Sequence, residues 1–476
     1  MNDPTTLVAT DPAMLPLTEL AAAIRDRKVS SVEVTTALLK RIEAWQPKLN
    51  AFVRIEADGA LELARAADAA LARRDLKGPL HGVPLAHKDM YYSAGKPAGC
   101  GSKVREGWIA PTTSTAIARL EAAGSFRIGA LHMAEFAYGP TGHNPYLGHA
   151  RNPWDTTRIT GGSSSGSGAA VAARLVPAAL GSDTGGSIRL PAHFCGVTGF
   201  KPTYGRVSRA NAMPLSFTLD TVRPLSHSVD DCALVMQAIA GPDPLDPTTS
   251  GAPAWDAGAT TRSPQGAKIG VPTRFYVDDL EGDVAAALDA AVETFGRLGA
   301  HVVTVDLPDQ TAVAAAALIV LAVEATAAHA PWLRERPEDY GAQVRARLEN
   351  GLAYSAVEYL EALRWRGPAL AAHLEAIGDV DAIVAPASRA AAPTIAETDI
   401  GGGPTAEATI LAITRFMRPV NYLGVPTLVV PAGRSREGLP IGLQLIGRPF
   451  ADERLIALGR AFQAMTDHHH GAPALP

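Results

Sequence analysis

Two glycine- and serine-rich turns joined by one short apolar stretch constrain this chain more than any other feature. The first reads Gly161-Gly162-Ser163-Ser164-Ser165-Gly166-Ser167-Gly168, the second Gly181-Ser182-Asp183-Thr184-Gly185-Gly186-Ser187-Ile188-Arg189. Glycine lets the backbone approach a reacting group closely and take positive φ. Serine supplies hydroxyls, and clustered backbone N–H groups can hold an anionic oxygen. Gly/Ser-rich stretches are commonly flexible linkers, but a linker has polar flanks. Here residues 169–175 read as a helix and 176–180 as a short buried strand. Turns locked between core elements suit acyl transfer rather than spacing.

The rest of the chain supports a globular enzyme. A length of 476 residues allows one large domain or two to three ordinary ones. Hydrophobic content is 47% and charged content 19%. The formal net charge of −5 argues against a non-specific nucleic-acid binder, which needs a basic surface. The N-terminus, Met1-Asn2-Asp3-Pro4, carries no secretory pattern. The apolar run 312–323 is too short to span a bilayer and reads as a buried helix. Cys100, Cys195 and Cys232 are sparse and odd in number, which fits a reducing cytoplasmic compartment and no disulfide framework.

Along the chain, residues 17–75 read as helices, with Ser30 and Glu33 forming a capping box. From there short apolar runs, glycine turns and Ala-rich helices alternate, which indicates an α/β architecture. Candidate strands are 126–131, 176–180, 268–271, 301–307, 382–386, 426–431 and 441–446. Helices are expected at 283–298, across a block from about 311 to 376, and at 451–465. Residues 241–266 read as a linker or a long surface connection, and 399–404 as a mobile Gly-rich loop. His468-His469-His470 lacks the spacing of a closed metal site and reads as a solvated tail.

Within the first turn, Gly162-Ser163-Ser164-Ser165-Gly166 also fits the G-x-S-x-G nucleophile elbow with Ser164 as nucleophile. That motif needs a hydrophobic strand directly before it, and 152–160 is polar and broken by proline. Upstream, Lys88 ends the apolar, strand-like run Gly82-Val83-Pro84-Leu85-Ala86-His87. A lysine in a low-dielectric site loses its charge more easily and can serve as a neutral base. Taken alone, Lys88 reads rather as a lysine snorkelling from a strand end, which is what most lysines do.

Lys88, Ser163 and Ser187 taken together resemble the amidase signature family. The matching segments are 82–89, 161–167, 181–191, 199–208 and 438–447, so the likeness covers nearly the full length. It implies one large domain over 1–476 with a central mixed β-sheet flanked by many α-helices. Its parts would be a helical N-terminal region (1–75), a catalytic core (76–270), a helical substrate-pocket insertion (about 311–376) and C-terminal strands and helix (377–466). The resemblance makes Ser187 the nucleophile, Ser163 a bridging serine preceded by a cis peptide, and Lys88 the general base. It places an oxyanion hole at Thr184, Gly185, Gly186 and Ser187. Tyr138, Gly139 and Gly162 would touch substrate, and Asp183 and Arg189 would brace the loop as a charge pair. It gives His87 and His132 no role, and requires neither metal nor organic cofactor.

What the resemblance implies is an amidohydrolase acting on a carbon–nitrogen bond of a small-molecule amide, with an optimum at neutral to alkaline pH. A urethane, carbamate or aryl-amide hydrolase of the same family is one alternative. The amidase subunit of a glutamyl-tRNA amidotransferase is another, and a catalytically dead binding protein a third. No nucleic-acid or membrane partner is expected, and a homodimer is compatible by analogy. One departure stands out: the family usually has glycine where this chain has Arg223, a large cation near the pocket.

Overall fold

The computed structural model describes residues 11–399, 401 and 403–474. The chain opens with α1 (Leu17–Arg25) and α2 (Ser31–Leu49), the latter started by the expected Ser30–Glu33 capping box. Strand β1 (Phe52–Ile55) follows, then α3 (Ala57–Ala72). The reading of 17–75 as all helix is corrected at β1, a four-residue edge strand too short to show a period. Next come β2 (Pro84–Lys88), α4 (Thr115–Ala122), β3 (Phe126–Leu131), α5 (Ser165–Ala172), β4 (Ala178–Ser182), α6 (Arg189–Cys195), β5 (Thr198–Lys201), β6 (Val222–Ser226) and α7 (Val229–Ile239). The C-terminal half runs β7 (Lys268–Pro272), α8 (Gly282–Arg297), β8 (His301–Val305), α9 (Gln310–Glu335), α10 (Ala342–Asn350), α11 (Ala356–Ile377), β9 (Ala382–Pro386), α12 (Ile395–Thr398), α13 (Pro404–Thr414), α14 (Arg418–Leu423), β10 (Thr427–Arg434), β11 (Pro440–Gly447) and α15 (Asp452–Ala464).

The eleven strands among the described residues belong to one mixed sheet, ordered β1-β3-β2-β4-β6-β5-β10-β11-β9-β7-β8. β2 lies parallel to both β3 and β4, and β7 parallel to β8 and β9. The middle of the sheet is antiparallel, from β4 through β6, β5 and β10 to β9. Every residue of β2, β4, β5, β6, β9 and β11 is buried. Strands buried at consecutive residues have both faces covered. Helices α5, α6, α7, α8 and α15 pack against them. The segment 241–266 is a surface connection rather than a domain boundary, because the strands before and after it share the sheet.

Helix α9 is longer than the apolar run suggests. It spans 26 residues, and its most apolar 18-residue window has a mean hydropathy of 2.0. By length and composition it could cross a bilayer, yet it also holds polar groups bonded inside the fold. Glu324 accepts from Ser216, Thr218 and Tyr359, and His329 meets the Tyr340 hydroxyl. It is built as a core helix. The three histidines 468–470 form a short 3-10 turn with His468 and His470 exposed and His469 half-buried. The N-terminal residues 1–10, and positions 400 and 402 of the Gly-rich loop, lie outside the described residues.

Candidate active site

Lys88 is the last residue of β2, between β3 and β4, and its side chain is about 1% exposed. Its Nζ lies 2.6 Å from Ser163 Oγ and 2.9 Å from Ser182 Oγ. Burial lowers the ammonium to about 7, against the pull of Asp220 and Asp183, and Arg223 lowers it further. An amine that sheds its charge near neutrality can take a proton from a hydroxyl in contact with it. His87 faces away, accepting from Leu180 N at 3.2 Å, and burial holds it down to about 3. His132 is buried between Ser165 Oγ and the Gly148 carbonyl and lowered to about 4. Both are structural.

The first Gly/Ser turn delivers Ser163 through a cis Gly162–Ser163 peptide. Gly161 takes φ +74 against the α6 backbone, a place no side chain fits. Ser163 is fully buried, and its carbonyl accepts from Ala134 N at 3.1 Å. Ser164 is not a nucleophile. It stands at the N-terminal boundary of α5 without capping it, and its Oγ exchanges bonds with the Ser182 backbone, at 3.2 and 3.3 Å. No strand precedes the turn, so the elbow geometry is missing. Ser167 Oγ donates to the Leu180 carbonyl, which ties the helix to β4.

The second turn leaves the end of β4 at Ser182 and enters α6 at Arg189. Asp183 organises it. Its carboxylate accepts from Gly186 N at 2.7 Å and Ile188 N at 3.3 Å, and from Asn421 Nδ2 at 2.9 Å. Arg189 Nε lies 3.1 Å away and Arg223 Nη1 2.8 Å, all three side chains being fully buried. Burial pushes the Asp183 carboxyl up, but Arg189, Arg223 and the Gly186 N–H outweigh it, and it stays well below the usual carboxylate range. The expected Asp183–Arg189 pair is therefore present, with Arg223 as a second partner. Arg223 sits on β6 opposite Gly181, and it braces the loop from beneath instead of reaching into the pocket.

Ser187 is about 9% exposed at the edge of a narrow cleft that is half open to solvent. Tyr138, Gly139, Thr184, Gly185, Arg347 and Arg418 share that cavity. Ser187 Oγ makes no hydrogen bond to a described residue, so the contact between Ser163 and Ser187 is not closed here. The amides of Thr184, Gly185 and Ser187 donate to no described residue and stand beside the cavity. Two expected positions are corrected. The Gly186 N–H is turned to Asp183, which removes it from the oxyanion donors. Gly162 does not line the cavity: its N–H donates to the Pro140 carbonyl at 2.6 Å, and a Cβ there would run into Gly139 O and Gly142 N.

Four residues of the site carry no clear signal in the sequence. Ser182 supplies the second hydroxyl in contact with Lys88 Nζ, at 2.9 Å, and its only sequence signal is its place inside the second turn. Asp220 accepts from Thr184 Oγ1 at 2.5 Å and fixes that corner. Arg347, from α10, lies with its guanidinium 3.8 Å from the Tyr138 ring centroid and donates to the Tyr138 carbonyl at 2.8 Å. Arg418 opens α14. Neither arginine carries a motif, since each reaches the site from more than 150 residues downstream of Ser187 in sequence. A larger cavity, about 590 Å³ beside Arg158, Arg389 and Arg436, contains none of Lys88, Ser163 or Ser187. Among the described residues, His143, His149 and Asp399 are the one group with ligand-type atoms within 4.8 Å of one another, and the histidine tail is not part of it.

The sequence pattern of the family described as Amidase matches residues 33–456. A glutamyl-tRNA(Gln) amidotransferase subunit of Geobacter metallireducens is 39% identical over 480 residues, covering 96% of this chain and 98% of that one. A solved structure described as a vestigial protein complex revealing the evolutionary origins of an s-triazine catabolic enzyme superposes with a TM-score of 0.89 at 35% identity, over 97% of this chain and 100% of that chain. The crystal structure of the corresponding glutamyl-tRNA(Gln) amidotransferase subunit from Thermotoga maritima superposes with a TM-score of 0.83 at 30% identity, over 99% and 100%. With structural likeness along almost all of the chain and a family match over most of its length, this chain belongs to the amidase family, enzymes that hydrolyse carbon–nitrogen amide bonds.

Proposed function

We propose that the chain cleaves an amide through an acyl-enzyme on Ser187, with Ser163 as proton relay and Lys88 as base. Neutral Lys88 accepts the Ser163 proton, and Ser163 takes one from Ser187 as Ser187 Oγ attacks the carbonyl carbon. The amides of Thr184, Gly185 and Ser187 receive the oxyanion, each such donor being worth about 2.7–4 kcal/mol in related holes. The proton returns through Ser163 to the nitrogen, the C–N bond breaks, and ammonia or an amine leaves. Water, activated by the same relay, then frees the acid. The observation that carries this reading is the 2.6 Å contact between a fully buried lysine and Ser163 on the turn beside the Ser187 loop. Ser187→Ala should abolish turnover while the protein stays folded; unchanged activity would falsify the assignment. A serine-reactive phosphonate should add its mass to the Ser187 peptide, and labelling elsewhere would sink it.

A second reading concerns the fate of the nitrogen. The curated relatives favour the amidase subunit of a glutamyl-tRNA amidotransferase over a stand-alone amidase or a carbamate hydrolase. In that role the chain would take ammonia from glutamine and pass it to a partner acting on tRNA. Strict dependence on a partner protein, with glutamine as donor, supports this reading. Efficient turnover of simple amides or carbamates by the isolated chain supports the stand-alone one.

A further inference from the structure

Among the described residues, the cavity that Ser187 faces is lined by two arginines and by no acidic side chain. Arg418 is about 5% exposed, and it makes no hydrogen bond or ion pair to any described residue. Arg347 is about 8% exposed and spends one N–H on the Tyr138 carbonyl, leaving the rest of its fork unused. Buried cations are ordinarily paired, because leaving one unpaired in a low-dielectric site is costly. Here two of them share one pocket and repel each other. Burial and the neighbouring Arg347 together lower Arg418 to about 10, while Glu407 and Tyr138 pull the other way. Glu407 lies beyond Arg347, in an outer cavity of about 350 Å³ that Arg347 also lines, not in the inner one.

We propose that the substrate is an amide carrying a carboxylate on its acyl side, held between Arg418 and Arg347, without a neighbouring ammonium group. The planar forks of two arginines suit a carboxylate, which accepts two N–H bonds from each partner it meets. An α-ammonium would enter a pocket lined by two positive charges, with the one nearby carboxylate, Glu407, outside the lining. The class this defines is the monoamide of a short dicarboxylic acid. Resting on the acyl-enzyme reading above, the reaction balances simply. The Ser187 Oγ–acyl bond forms as the C–N bond breaks, the nitrogen leaves as ammonia with the returned proton, and water releases the dicarboxylate.

The test compares matched amides with the isolated 476-residue chain. Succinamate should exceed butanamide in kcat/KM by about 30-fold or more, and glutaramate should exceed L-glutamine. Arg418→Gln should cut the succinamate-to-butanamide ratio at least 10-fold, chiefly through KM, and Arg418→Lys should restore part of it. Unfolding curves confirm that both variants fold. Titration calorimetry on the Ser187→Ala protein gives a readout independent of turnover: succinate should bind, and the added Arg418→Gln change should abolish that binding. Equal rates for the charged and neutral amides, a preference for glutamine over glutaramate, an unchanged ratio in Arg418→Gln, or no heat with succinate each overturns the proposal. Failure of the underlying chemistry shows separately, as absence of phosphonate labelling at Ser187.

Discussion

Lys88 is poised where a change of one pH unit alters its charge. With the buried ammonium lowered to about 7, the neutral form grows as pH rises. The kcat/KM profile should therefore climb through about pH 7 and level off above it, and a profile flat from 5.5 to 8 would remove Lys88 as base. The same shift has a stability signature. From about 7 up to the ordinary lysine range, the unfolded chain holds a proton that the folded chain lacks. Stability then rises with pH across that window, by about 1.4 kcal/mol per unit from this residue, and has no Lys88 slope below it. Urea unfolding at several pH values should show that slope in the wild type and lose it in Lys88→Met. Ser182 is the partner that decides where the lone pair points. If Ser182 Oγ takes one N–H of the neutral amine, the lone pair is left for the Ser163 hydroxyl. Ser182→Ala should lower kcat roughly 5- to 10-fold, the worth of one hydrogen bond, with KM little changed.

At the scale of elements, the turn that carries Ser187, the proposed nucleophile, is held by β4, β6 and α14. Arg223 shows how the family likeness and the structure part company. Its sequence position suggests a cation intruding on the pocket, whereas β6 turns it inward to Asp183. Arg223→Gly removes one of the two cationic partners of a buried carboxylate and should cost about 3–5 kcal/mol, read as a lowered denaturation midpoint. Gly186 has φ +116, and a Cβ there would meet Met417 Cγ at 2.5 Å. Gly186→Ala should thus displace the Ser187 loop and lose most activity even in protein that folds. Legibility in the sequence follows the strength of local signals. The long alternating or apolar strands at 126–131 and 382–386 are legible to the residue, and the Ser30–Glu33 cap marks α2 correctly. β1 is not, because four residues at a sheet edge carry no period. The outer edge, β8, is mostly exposed, so its apolar residues speak of strand but not of burial.

Across the whole molecule, the C-terminal half completes the N-terminal site. Arg189 donates to the Met417 carbonyl at 2.8 Å and meets Asn421 Oδ1, and Asn421 Nδ2 reaches both the carbonyl and the carboxylate of Asp183. Gln444, on β11, lies 3.4 Å from Arg189. These contacts exist because β10 joins β5 in the middle of the sheet and brings residues more than 200 positions apart together. Asn421→Ala should leave Asp183 and Arg189 short of partners. A loss of about 1–3 kcal/mol in unfolding free energy is expected, together with a lower kcat, though Asn421 touches no substrate.

The sequence by itself, through its likeness to the family, determined which groups are proposed to react: a lysine closing an apolar run and two serines in glycine-rich turns stand in local motifs, because glycine and serine act on the backbone within a few residues. Which further groups face those serines was decided only by the tertiary structure. Asp220, Arg223, Arg347, Arg418 and Asn421 carry no local signal, and their roles come from sheet order and helix packing. A charged side chain in isolation does not specify whether it meets water or a buried partner, and only the folded arrangement sets that dielectric and that neighbour.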